Sequence, residues 1–264
     1  MDGMVLFILL TLLILTFVLF LKDKKDYAKF KTLSNTRQRQ KIMKKWLVAS
    51  FFFYGVLALV CLALLDKVQV LFELPPFLKG HLSAYMERFD TYPFVQSLLK
   101  GIFISLVPLL VIGMPLLSLL ITYQSVNHPP KKTKKDQSAN DVRNLNALLP
   151  RNAQERIYTG LLSVNAGIVE ELFFRLLAPL LLFTLTNSLA VAIFGSTLWF
   201  ALAHAYQGIA GVVLTFLMGL LLFFVYLYTA SIWMAMLIHA IIDLNGLVLS
   251  PWFTAYLTAK KTKV

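Results

Sequence analysis

The sequence predicts an all-α protein, a polytopic transmembrane helix bundle of about seven spans whose last four form a compact core. Three observations predict it. The chain has 264 residues, of which 58% are apolar and 14% charged. The apolar residues come in blocks of about 20, the length that crosses roughly 30 Å of hydrocarbon. The lysines and arginines sit between those blocks, as they do in membrane proteins. The net charge of +12 is therefore read as attraction to an anionic bilayer face, and no nucleic acid partner is expected. Cys61 stands alone, so there is neither an internal disulfide nor a cysteine zinc pattern.

The first span is expected at about Met4–Leu21. Asp2 precedes it and Lys22 follows, the reverse of a signal peptide, so it reads as uncleaved with its N-terminus outside. Lys22–Lys45 carries ten Lys/Arg against two Asp and is expected as an inner loop. The second span is Trp46–Leu65. Asp66–Lys100 balances its charges, contains Pro75-Pro76 and is expected outside, in part on the membrane surface. The third span, Gly101–Tyr123, should kink at Pro108 and Pro115. Gln124–Arg156 reads as a flexible inner linker with the Lys131–Lys135 run. Four spans then follow closely: Ile157–Leu185, Leu189–Tyr206, Gly211–Tyr228 and Ser231–Leu249. Seven spans put every basic segment on one side, whereas six or eight would not. The expected organisation is an accessory part (1–123), a basic linker (124–156), a core (157–249) and a basic cytoplasmic tail (250–264).

Polar residues inside the core are few. Span four holds Glu170, Glu171 and Arg175; span five holds His204, one turn after Phe200; span seven holds His239, Asp243 and Asn245. A charge at the centre of a membrane helix costs roughly 2.5–3.5 kcal/mol on insertion scales, so each needs a partner or a function. Glu171 and Arg175 are spaced i,i+4 in the favoured order for a helix pair. Glu170 is turned about 100° away and is expected to face the bundle. His239 and Asp243 are also i,i+4, so Asp243 is expected to fix the imidazole tautomer. Asn245 should face nearly the opposite way. The topology lets Glu170, His204 and His239 converge in the cytoplasmic half of the bilayer. Two chemistries fit. A buried Glu beside a His can activate water while a second His stabilises an oxyanion. Alternatively, two His and a carboxylate can hold zinc with water in the open position, the candidates being Glu170, His204, His239 and Asp243. There is no His-Glu-x-x-His signature.

Glu170-Glu171-x-x-x-Arg175, Phe200-x-x-x-His204 and His239-x-x-x-Asp243, in this order, resemble the three motifs of the CPBP family, which includes the CAAX prenyl proteases and bacteriocin-processing proteins. The resemblance covers about Ile157–Leu249. It implies an intramembrane endopeptidase acting on a membrane-embedded or lipidated peptide, with Glu170 as general base and His204 helping to activate water. His239 and Asp243 would then face the oxyanion, with Glu171 and Arg175 orienting. Phe200 is read as packing. Two departures matter. Asp243 stands where the eukaryotic branch has Asn, and an ionised Asp only accepts hydrogen bonds. Leu176 stands where many members have Gly. The resemblance covers both a glutamate-dependent and a metal-dependent site, so no cofactor is certain and zinc is the candidate. The expected location is a bacterial plasma membrane with the C-terminus cytoplasmic and membrane lipids as partners. The rival readings are bacteriocin self-immunity by binding without proteolysis and, with less support, a proton-coupled transporter.

Overall fold

The computed structural model describes residues 2–81, 93–128 and 145–262. The Lys131–Lys135 run of the linker, residues 82–92 of the outer segment and the last two residues lie outside that set. The described residues are helical, with no strand among them. Among the described residues seven main helices follow in order: α1 (Asp2–Thr32), α2 (Thr36–Leu64), α3 (93–127), α4 (153–186), α5 (Val191–Ala203), α6 (Ile209–Thr229) and α7 (Ile232–Lys261). Of these, α1, α2, α6 and α7 and the 104–127 part of α3 are long and apolar enough to cross a membrane. The other two depart from a simple span. α5 is short, and α4 carries the buried charges.

Two expected loops are helical. Lys22–Lys45 holds no helix breaker, so α1 runs on to Thr32 and α2 begins at Thr36 after a three-residue corner. Asn35 caps α2 by accepting from the Gln38 N–H at 3.2 Å. The C-terminal tail likewise continues α7 to Lys261. It packs along α3, where the Ser118 and Ser250 hydroxyls meet at 2.6 Å and Lys261 donates to the Val126 carbonyl at 2.7 Å. Five helices contain a π-turn: Phe51–Val56, Leu109–Gly113, Leu172–Leu177, Val191–Gly195 and Asn245–Leu249. The second lies between Pro108 and Pro115, where missing N–H groups already loosen the ladder.

The bundle is organised around α4. Every residue from Glu171 to Leu181 is buried. Its apolar side chains share one core with Val5, Leu9 and Leu12 of α1, Ala58 and Leu62 of α2, Trp199 and Phe200 of α5, and Phe223 of α6. Leu78, between α2 and α3, also packs into it, and the Phe77 ring stacks on Phe183 at 4.3 Å. α3 lies at the edge, where Leu110 meets Leu222, Val225 and Ile238. Outward-facing side chains such as Phe7, Phe52, Ile104 and Ile209 are exposed and apolar, as a lipid-facing surface requires.

A polar clamp joins the α1–α2 corner to the start of α4. Asn152 caps α4 by accepting from the Glu155 N–H at 2.9 Å, and its amide donates to Thr36 Oγ1 at 2.8 Å. The Glu155 carboxylate accepts from the Arg151 backbone N–H and from Arg39 Nε, both at 3.1 Å. Arg39 also donates to the Ala147 carbonyl at 2.9 Å and lies 4.0 Å over the Phe30 ring. Both charged side chains are wholly buried. Breaking a buried pair on one side costs about 3–5 kcal/mol, whereas an apolar replacement of both is close to neutral. Arg39→Ala should therefore lower the thermal midpoint in nanodiscs strongly, and Arg39→Met with Glu155→Leu should recover most of it. Equal loss in both would show that the charges themselves are needed.

Candidate active site

Three helices bring the motif residues together. α4 supplies Glu170, Glu171 and Arg175; α5 ends at His204; α7 supplies His239 and Asp243. The α4–α7 crossing is made at Gly167. A Cβ there would lie 2.7 Å from the Ala240 backbone N and 2.8 Å from its Cβ. Only glycine admits this approach, and it places Glu171, one turn further on, against His239.

Glu171 is the hub. Its Oε1 accepts from His239 Nδ1 at 2.7 Å, and its Oε2 lies 3.1 Å from Arg175 Nε. The second contact is not aligned as a hydrogen bond, so charge rather than directionality holds that pair. Arg175 donates weakly to the Gly219 carbonyl at 3.4 Å and spreads 4.3 Å over the Phe200 ring. Gly219 leaves room for it: a Cβ there would meet Thr197 at 2.8 Å and Phe200 at 3.1 Å. Phe200 also sets its ring edge-on to His204 at 4.8 Å and to His239 at 6.1 Å. The motif phenylalanine thus packs against Arg175, His204 and His239.

The tautomers follow from the partners. His204 Nδ1 meets the Phe200 carbonyl at 2.9 Å, and a carbonyl only accepts, so Nδ1 carries the hydrogen. His239 Nδ1 donates to Glu171 on the same logic. Both imidazoles therefore present Nε2 to the site. Glu170 Oε2 lies 3.8 Å from His204 Nε2 and 3.9 Å from His239 Nε2. It is buried and makes no hydrogen bond to protein. These distances are too long for direct hydrogen bonds and leave room for a water touching both sides.

Asp243 differs from its expected role. Its Oδ2 lies 3.9 Å from His239 Nε2, while Nδ1 is held by Glu171. The i,i+4 spacing brings Asp243 to the imidazole, but to the reactive nitrogen rather than the orienting one. Its side chain is 31% exposed against 0% for Glu171, so Asp243 stands at the opening and Glu171 behind it. Asn245 is buried and stands at the start of the 245–249 π-turn. Leu176, at the position where glycine was expected, is fully buried, and the close approach is made at Gly167 instead.

The donor types suit zinc, but their placement does not make a zinc site. Tetrahedral zinc with ligands at about 2.0–2.2 Å sets neighbouring donors about 3.3–3.6 Å apart. Here the distances are 3.8, 3.9 and 3.9 Å, and no three such side chains among the described residues form a metal-holding group.

Sequence reasoning did not single out Gly167 and Gly219, nor the wall beside His204. There the Tyr206 ring lies 6.0 Å from His204 and 5.2 Å from Tyr27 of α1. Tyr54 of α2 packs on Phe173 and Phe174 beside Glu170. A glycine one turn before an intramembrane acid is the signal that could have found Gly167.

Comparison with known proteins covers this region. No curated protein and no solved structure matches the chain. Residues 152–245 match the family model described as "Type II CAAX prenyl endopeptidase Rce1-like". The match runs from the cap of α4 to Asn245 and takes in all the motif residues. Over this segment the chain is similar to the Rce1-like type II CAAX prenyl endopeptidases, and the likeness supports a CAAX-type intramembrane protease at the level of that family.

Proposed function

We propose that the protein hydrolyses a peptide bond of a membrane-associated protein or peptide precursor, with Glu170 as general base. The observation that carries this reading is the buried Glu170 Oε2, without a hydrogen-bond partner and within 4 Å of two histidine Nε2 atoms. A water between Glu170 and His204 gives its proton to Glu170 as its oxygen attacks the carbonyl carbon. Because Glu171 occupies Nδ1, His239 can donate to the oxyanion only from Nε2, and only as the imidazolium. Asp243 stands beside that nitrogen and either holds the imidazolium or, when protonated, donates itself. Glu170 then passes its proton to the departing amide nitrogen as the C–N bond breaks. Glu171 and Arg175 are positioning residues. The basic segments support an orientation with the N-terminus outside and the C-terminus in the cytoplasm.

Full-length protein in lipid vesicles, supplied with a prenylated CAAX peptide and an unprenylated membrane peptide, tests the reading. Glu170→Gln keeps the shape and removes the base. It should lower the cleavage rate about 10²–10⁴-fold, with an unchanged thermal midpoint. Cleavage should also survive exhaustive chelation, and loss under chelation would favour a metal-bound water instead. Bacteriocin protection that persists in Glu170→Gln at normal protein level would favour self-immunity by binding.

A further inference from the structure

His204 stands where its helix has already ended. α5 stops at Ala203, and His204 opens the 204–208 turn with φ −96° and ψ 11°, outside helical geometry. Helix ends fray, so a side chain there needs support from elsewhere. One hydrogen bond orients the imidazole, from Nδ1 to the Phe200 carbonyl at 2.9 Å. Two rings lie against it, Phe200 at 4.8 Å and Tyr206 at 6.0 Å between centres. Tyr206 belongs to the same turn, and its hydroxyl accepts from Gln207 Nε2 at 3.3 Å, again within the turn. The support from outside is Tyr27 of α1. Its ring lies 5.2 Å from that of Tyr206, inside the roughly 4.5–7 Å range of aromatic pairs. Five lysines lie between residues 22 and 31, yet Tyr27 among them is 3% exposed. Its hydroxyl is buried without a hydrogen-bond partner, so the ring makes the contact that matters.

We infer that Tyr27 is a positioning residue for the reaction: through Tyr206 it holds the imidazole of His204 in place, and so brings α1 into a site whose other residues lie in the family segment 152–245. The inference rests on the hydrolytic reading for what His204 does, but its test does not. Nδ1 keeps its hydrogen while it stays on the Phe200 carbonyl, and Nε2 then faces Glu170 and the water as an acceptor. An imidazole free to turn would exchange tautomers and present an N–H donor there part of the time. The Tyr27 ring behind Tyr206 resists that movement. A smaller side chain would leave a gap into which Tyr206 can retreat.

The test reads His204 directly. Full-length protein, isotope-labelled at the histidine nitrogens, is placed in phosphatidylcholine nanodiscs in mildly alkaline buffer. The His204 resonances are assigned by their loss in His204→Gln. In the wild type they should report one tautomer, with the hydrogen on Nδ1. Tyr27→Leu keeps an apolar side chain and removes the ring. It should turn His204 into a mixture of tautomers and leave the His239 resonances, which answer to Glu171, in place. Tyr27→Phe should restore the wild-type spectrum. Phe30→Leu controls for the loss of a buried ring alone. Phe30 is wholly buried one turn further along α1 but packs on Trp46 at 5.0 Å, so His204 should not respond. On a cleaved peptide, kcat should fall about tenfold in Tyr27→Leu with KM unchanged. The inference is overturned if His204 keeps one tautomer in Tyr27→Leu, if Tyr27→Phe does not restore it, or if Phe30→Leu disturbs it equally. Absence of cleavage by the wild type would refute the hydrolytic reading and leave the His204 result standing, so the two can fail independently.

Discussion

Gly167→Ala is expected to reduce peptide-bond hydrolysis about 100-fold or more, although it adds one methyl group remote from any substrate. The added Cβ would stand 2.7–2.9 Å from the N, Cα and Cβ of Ala240. Backbone atoms cannot rotate away, so α4 and α7 must separate. The Glu171–His239 hydrogen bond of 2.7 Å lies one turn further along the same interface. A displacement of about 1 Å at a catalytic group costs on the order of 10²-fold in rate. Gly160→Ala is the control on the same helix. Its new Cβ would make ordinary contacts at 3.8 Å with Leu244 and 3.9 Å with Val248, and the rate should hold. A Gly167→Ala protein of full activity would mean that the crossing does not set the site geometry.

The second large effect concerns Glu171 and Arg175, which are 0% and 1% exposed. Arg175→Met leaves a buried carboxylate with only His239 for company and should destabilise the protein by about 3–5 kcal/mol. Arg175→Lys should not rescue it fully, because lysine lacks the planar group that lies on Phe200. The double variant Glu171→Leu with Arg175→Met removes both charges and should regain most of the stability. It should not regain activity, because His239 Nδ1 then has no acceptor to fix the ring. Thermal midpoint and cleavage rate, measured on the same nanodisc samples, separate these roles. Recovery of both would reduce the pair to scaffold.

The sequence made much of this site legible because charges are rare in apolar helices. Glu170, Glu171, Arg175, His204, His239 and Asp243 are conspicuous against their neighbours, and i,i+4 spacing relates them within each helix. Spacing says nothing about partners on other helices. That is why Asp243 was assigned the tautomer-fixing role that Glu171 fills from α4. The loops were misread for a related reason. Lysine and arginine are good helix formers, so a basic composition located the membrane boundary without marking where helices stop. Gly167 was marked only by its place one turn before Glu171, and Gly219 and Tyr27 were invisible in principle. Their importance lies in what faces them, and one chain read alone does not show that.

The brevity of α5 bears on how the reaction is supplied. Val191–Ala203 is about 20 Å long, some 10 Å short of the hydrocarbon slab. His204 follows directly, and Gly208, at φ 84°, turns the chain into α6. Either the bilayer thins beside α5 or the 204–208 turn sinks below the headgroups. Thinning brings hydrated lipid headgroups toward Glu170. Hydrolysis consumes one water per bond, and this dip in the membrane surface would deliver it without a pore through the protein. Lipids with longer acyl chains should deepen the mismatch, so membrane thickness itself becomes a control on rate.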